Sequence, residues 1–333
     1  AGAGRVSAPV AVAVVSFDSA ADLPGCLAAV GRLVPPPAEL VVVDSASGDG
    51  SAEVARAHLP SQVPARIVAL EENAGFAGAT NRAIAESASP WILTLNPDAE
   101  PAPDYLARLL ERAADPRAGR VGAVTGRLVR PDEPARLDAC GMRLTRSWRH
   151  LDRGSGELDR GQYARAERVF GATGAASLWR REALADVAIE GEPFDVRFHS
   201  YREDAELCFR LRERGWEIVY EPAARALHRR SVVPERRRAV APAINRRSLQ
   251  NRYLLRAGHQ RAGNFWRTLP WTLARDLGAL AWVLAFERSS LPAYGWLWRH
   301  RREIAAHRRL LRARGTAPPA SVERWFGRDG EPL

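Results

Sequence analysis

Apolar residues in the first hundred positions come in short continuous runs, at 10–15, 39–44, 65–70 and 91–95. Between the runs, apolar positions recur every three or four residues. Short runs rich in Val, Ile and Leu suit strands buried on both faces, and the intervening periodicity predicts helices over 23–33, 51–58 and 77–87. Strand and helix in alternation predict βαβ units and a mainly parallel sheet, an α/β fold. Ligands of such sheets lie beyond the carboxyl ends of the strands. The residues there are polar: Ser16, Phe17 and Asp18 follow the first run, Asp44 and Ser45 the second, Asn73 the third, Asn96 and Asp98 the fourth.

Past Asp98 the pattern loosens. A helix over 105–114, strands near 121–129 and 172–179, and a helix over 204–214 stopped by Gly215 are predicted. The stretch 146–165, rich in Arg, Gly and Asp, reads as a loop able to cover a site. After Arg229 the strand signals stop, and residues 239–256, 265–286 and 294–314 read as helices. At 333 residues the chain exceeds a single ordinary core. An α/β domain over 8–230 and a helical appendage over 231–333 are expected.

Composition narrows the function without defining it. All 49 basic residues are Arg, against 39 acids, for a net charge of +10. The excess lies in residues 225–314, where anionic lipid or a pyrophosphate could be met; a solvated helical surface explains it equally. No nucleic-acid recognition motif accompanies it. No Gly-x-Gly-x-x-Gly turn follows the first strand, which argues against a nicotinamide-dependent oxidoreductase. The longest apolar run, 277–286, falls short of the roughly 20 residues a spanning helix needs, and 8–15 reads as a strand and not a signal peptide. Three distant cysteines, Cys26, Cys140 and Cys208, match no metal-ligand spacing and fit a reducing cytoplasmic setting.

Asp98 follows a buried run directly, with Pro97 stiffening the turn. One carboxylate there suits Mg²⁺ or Mn²⁺, which fill their remaining positions with phosphate oxygens and water. The small residues from Asp44 to Ser51 let a ligand approach the backbone, and Asp44 can accept hydrogen bonds from a base or ribose edge. Asn73, Gly75, Phe76, Gly78 and Asn81 form a loop running into a helix start, where an anion is favoured. At Glu203 and Asp204 two acids open a helix that Leu207, Cys208 and Leu211 anchor to the core. A carboxylate held that way can act as a general base, and it also complements the helix dipole.

Together these pieces resemble the inverting glycosyltransferase family 2, in particular its rhamnosyltransferase-like bacterial members. The resemblance runs from Pro9 to about Ser231 and rests on Val15-Ser16-Phe17-Asp18, Val43-Asp44-Ser45, Gly48-Asp49-Gly50-Ser51, Asn73-Ala74-Gly75-Phe76-Ala77-Gly78 with Asn81, and Leu95-Asn96-Pro97-Asp98. Gly174-Ala175, Phe194-Asp195, and Glu203-Asp204 through Arg210 and Gly215-Trp216 continue the series. It implies a GT-A nucleotide-diphospho-sugar transferase fold, Asp44 at the base, the 73–81 loop near the donor, a metal on Asp98, His228 near the diphosphate and Asp204 as base of a single inverting displacement.

The Asn-Pro-Asp form of the metal motif is similar to that of enzymes using dTDP-L-rhamnose, which implies this donor and a glycan or polyprenyl-diphosphate-linked acceptor in cell-surface polysaccharide synthesis. Alternatives are a family member using a UDP-hexose, and a sugar-nucleotide or nucleic-acid binding protein without activity. Asp18 stands where the family usually has Asn, Glu206 where it has Asp and Pro193 where it has Gly, the last two expected beside the acceptor. Trp266, Trp271, Trp282, Trp296 and Trp298, interleaved with Arg, suit a helix in a headgroup layer on the inner face of the plasma membrane; core packing or a homodimer interface explains them as well.

Overall fold

The computed structural model describes residues 8–230 and 241–333. Its first half follows the predicted alternation: β1 (Val10–Ser16), α1 (Leu23–Gly31), β2 (Glu39–Asp44), α2 (Ser51–His58), β3 (Ala65–Ala69), α3 (Gly75–Ala85) and β4 (Trp91–Leu95). β1 lies between β2 and β4 and is parallel to both, with β3 beyond β2. All seven residues of β1 are buried. Val12 and Val14 point into the layer of α1, whereas Ala13 and Val15 point into that of α3, so the pleat divides the apolar run between two cores. Fully burying one such Val contributes about 1.5–3 kcal/mol. β3 departs from expectation: as the sheet's edge it leaves Ala65, Arg66 and Ala69 exposed.

The second half mixes strand directions. It comprises β5 (Ala99–Pro101), α4 (Tyr105–Ala113), β6 (Val121–Val129), β7 (Leu137–Ala139), β8 (Met142–Leu144), β9 (His150–Asp152), β10 (Glu167–Arg168), β11 (Ala176–Arg180), α5 (Arg181–Val187), α6 (Glu203–Glu213) and β12 (Glu217–His228). β11 runs antiparallel between β4 and β6, and β12 runs parallel to β6. The expected loop 146–165 is partly ordered, because β9 pairs with β8. Gly215, at φ +80°, stops α6 as anticipated.

The described chain continues through the helices α7 (Pro242–His259), α8 (Ala262–Phe286), α9 (Pro292–Arg299) and α10 (Arg301–Arg314). Ala239 and Val240, where the first of these was expected to begin, lie outside the described residues. The chain then returns to the α/β part through α11 (Ala320–Glu323) and β13 (Glu331–Pro332), which pairs with β10. Trp325 is fully buried in the main core. The expected division at Arg230 is therefore not a clean one, since the end of the helical region completes the sheet.

α7 is also tied to α6 by buried charge. Glu206 accepts from Arg210 at 2.8 and 2.6 Å, and His259 of α7 lies 3.4 Å from Glu206 and 3.2 Å from Glu213. Burial opposes charge on Glu206, but Arg210 and His259 hold its carboxyl down at about 2. Among the described residues no helix is long and apolar enough to cross a membrane.

Candidate functional site

A cleft of about 560 Å³ opens where β1 and β4 end, the point at which the order of the parallel strands reverses. Asp204 stands on one wall, in the first turn of α6. Its Oδ2 accepts the Gly174 backbone N–H at 3.0 Å, and its Oδ1 accepts that of Ala205 at 2.7 Å. Burial pushes the carboxyl up to about 6, Gly174 draws it back, and the charge of Asp152 adds to the rise. At neutral pH the group is ionised yet basic enough to accept a proton. Glu203 also lines the cleft, with an Oε2 that has no hydrogen-bond partner. Burial and then the charge of Asp204 raise its carboxyl well above the usual range.

The loop before α6 is strained to place these acids. His199, Tyr201 and Arg202 have φ of +58°, +70° and +79°. Asn251 of α7 holds that loop by donating to the carbonyls of Phe198, Ser200 and Tyr201 at 2.8–3.0 Å. Gly75 answers it from the other side, at φ +68°; a Cβ there would run into the His199 ring and come within 2.5 Å of its carbonyl oxygen.

The opposite wall is a chain of charges. Oδ1 of Asp98 faces Nε2 of His228 at 3.3 Å, and Nδ1 of His228 lies 2.7 Å from Asp138. Arg230 reaches Asp138 at 3.0 Å and also pairs with Asp152. Burial disfavours charge on His228, but the two carboxylates outweigh it and hold the imidazole at about 9. Burial likewise opposes charge on Asp98, and His228 still brings its carboxyl below the ordinary value. His228 is the last residue of β12. The Asp98 carboxylate and the His228 imidazole stand side by side on this wall, with the far ring nitrogen oriented by buried Asp138, and once the ring gives up its proton the two form a donor set that fits a divalent cation.

Phe17, Asp18, Asn73, Gly75, Phe76, Asn96, Asp98, Glu203, Asp204 and His228, all singled out in the sequence, line the cleft. Three others do not. Ser16 is fully buried beneath it, and Asp44 spends both carboxylate oxygens on Ser47, at 2.6 and 3.0 Å. Asn81 uses both ends of its amide on the Phe194 backbone, at 2.7 and 2.8 Å, which makes it a clamp between α3 and the chain before α6. Glu206 and Pro193 are likewise not at the cleft: Arg210 takes the carboxylate of the first and the carbonyl of the second. Asp18 bonds the Gly48 N–H at 2.8 Å, tying the loop after β1 to that after β2.

Asp22, Asp138, His150, Asp152, Arg202 and Arg230 were not legible as site residues. Three of them, His150, Asp152 and Arg230, belong to segments read as loop or domain boundary, and Arg202 stands directly before the Glu203-Asp204 pair.

The family model described as "Glycosyl transferase family 2" matches residues 11–187. An N-acetylglucosaminyl-diphospho-decaprenol L-rhamnosyltransferase of Mycobacterium tuberculosis is 29% identical over 304 residues, spanning 84% of this chain and 93% of that protein. Among solved structures, a mannosyltransferase of Pyrobaculum calidifontis in complex with GDP-Man and Mn²⁺ superposes with a TM-score of 0.54 at 22% identity, covering 93% of this chain and 86% of its own. Residues 1–349 of S. aureus TarS superpose with a TM-score of 0.54 at 13% identity, over 94% and 89% of the two chains. These two likenesses are of fold.

Proposed function

Because the chain belongs to glycosyl transferase family 2 and has the GT-A fold, we propose that its cleft transfers L-rhamnose from dTDP-L-rhamnose, with inversion, to a hydroxyl of a polyprenyl-diphosphate-linked glycan. The observation that carries the chemistry is Asp204, ionised at neutral pH and held by the Gly174 N–H. Its carboxylate takes the proton of the acceptor hydroxyl as that oxygen forms the new bond to the anomeric carbon. The bond from that carbon to the nucleotide diphosphate breaks on the opposite face, its electron pair leaving with the phosphate oxygen. Glu203, whose buried carboxyl is raised well above the usual range, favours the proton on itself and so leaves the proton-accepting role to its neighbour.

Asp98 and His228 are the residues that would hold Mg²⁺ or Mn²⁺, which when bound supplies charge stabilisation for the departing diphosphate. Asp138 keeps the His228 ring oriented from behind. Phe17, 47% exposed at the mouth, and Asp18 stand where the nucleoside would enter.

The donor and acceptor rest on the similarity to the mycobacterial rhamnosyltransferase. Release of nucleotide diphosphate is to be measured from dTDP-rhamnose, UDP-glucose, UDP-galactose and GDP-mannose with either metal. Preference for dTDP-rhamnose is expected, and clear preference for a UDP-sugar overturns the rhamnose assignment.

A lipid-linked acceptor requires the enzyme to meet a membrane, and α8 has a face for it. Leu273, Leu277, Leu280 and Leu284 form one exposed stripe, with Trp266 and Phe286 71% and 67% exposed. The exposed Arg288, Arg299, Arg301 and Arg302 complement anionic headgroups. On this reading the chain attaches peripherally to the inner face of the plasma membrane. Co-sedimentation with phosphatidylglycerol vesicles should be lost in a Leu277→Glu, Leu284→Glu variant that stays folded; absence of wild-type binding contradicts this attachment.

A further inference from the structure

The cleft wall formed by His150 and Arg202 leads into a second concavity. His150, on β9, lines the cleft, and its Nδ1 lies 3.1 Å from Nη1 of Arg202. Arg149, the residue before it, joins Arg252 of α7 and Arg275 of α8 in lining a pocket of about 340 Å³ with Leu249, Ala279, Trp282 and Val283. Four guanidinium groups from four different segments thus converge on the ground beside His150. Their mutual effect is visible in its protonation: burial first, then Arg202, Arg149 and Arg275, hold its imidazole well below the ordinary value. Arg275 is itself brought down to about 9 by burial and by Arg252, Arg149 and Arg202. Its chain neighbour Asp276, which pairs with Arg256 at 2.7 Å, offsets this only in part.

Guanidinium groups gathered this closely suit an anion carrying more than one charge, and the guanidinium fork matches phosphate oxygens in pairs. Two further features define the anion. Arg202 immediately precedes Glu203 and Asp204 and lines the same cleft, so the pocket lies beside the base. The pocket is bounded on its other side by Trp282 and Val283 of α8, next to the exposed Leu280 and Leu284. One end meets the reacting sugar and the other meets an apolar track.

We propose that Arg149, Arg202, Arg252 and Arg275 hold the diphosphate of the lipid-linked acceptor, with its prenyl chain leaving over α8 at Trp282, Leu280 and Leu284. This rests on the reading of the acceptor given above and assigns it residues. A bilayer phospholipid offers phosphate too, but as a singly charged diester, for which four converging arginines are excessive.

The test is a calorimetric titration of the full chain with farnesyl diphosphate, at saturating dTDP and Mn²⁺ so that the donor side is occupied, with farnesol and phosphatidylglycerol vesicles as separate arms. Arg149→Gln is the main variant because Arg149 is exposed and its replacement spares the core; Arg275→Gln is the second. Wild type should bind farnesyl diphosphate and not farnesol, and each variant should weaken that binding by about tenfold or more while vesicle binding holds. Unchanged farnesyl diphosphate affinity in both folded variants overturns the pocket and leaves the acceptor reading standing. Loss of vesicle binding alone assigns the arginines to bilayer headgroups and also overturns it. Failure of wild type to bind farnesyl diphosphate removes the lipid-diphosphate acceptor and the pocket together.

Discussion

The backbone N–H of Gly174 donates to Oδ2 of Asp204 at 3.0 Å, and a Cβ at position 174 would lie 3.0 Å from Cζ of Phe76 and 3.7 Å from the Asp204 Cβ. The turn leading into β11 and helix α6 are thereby fixed to each other at the base itself. Gly174→Ala must move Phe76 or shift the base, and a displacement of about 1 Å costs on the order of a hundredfold in rate. We expect kcat to fall by about tenfold or more with an unchanged thermal midpoint, read by turnover alongside circular dichroism.

Activity should follow the ionisation of Asp204. Its carboxyl titrates at about 6, raised chiefly by burial, and only the ionised form accepts a proton. Turnover is therefore full above that value and falls as pH drops through it, approaching about tenfold per unit on the acid side. A pH profile of kcat/KM between pH 4.5 and 8 checks this. An acid limb centred near 4, the range of an unperturbed carboxyl, contradicts the assignment.

Metal binding should depend on a residue that never touches the cation. Asp138 is fully buried and holds Nδ1 of His228 at 2.7 Å. Asp138→Asn should raise the Mn²⁺ concentration for half-maximal turnover by about 10–100-fold, and Asp98→Ala by more. Chelation should abolish turnover, and added Mn²⁺ should restore it.

Helix α6 owes its position to buried charge, which can be broken. Arg210 is 4% exposed and carries Glu206 together with the Val187 and Pro193 carbonyls. Arg210→Met leaves the Glu206 carboxylate without its main partner and should cost about 3–5 kcal/mol in denaturant unfolding. A double replacement of Glu206 and Arg210 by Leu should cost clearly less, since it removes the stranded charge.

What could be read from the sequence was what local pattern controls. β1, β2 and β4 announce themselves because a central parallel strand is apolar throughout, and Asp98 and Asp204 because each directly joins a strong element. Residues placed by pairing at a distance gave no such signal. Asp138 and Asp152 sit on strands of three residues, and Arg230 meets both only after β12 has crossed the sheet. Glu331–Pro332 becomes a strand only because β10 offers an edge. Asp44 and Asn81 stand beside the cleft bonded to Ser47 and the Phe194 backbone, contacts that no local pattern announces.

The role of Asp204 as base is tested most directly by Asp204→Asn, an isosteric change that keeps a group able to accept the Gly174 N–H. Sugar transfer at saturating donor, metal and acceptor at pH 7.5, measured beside donor affinity, should fall by about 10²- to 10⁴-fold with donor affinity unchanged. A variant that retains full transfer would show that another group removes the proton.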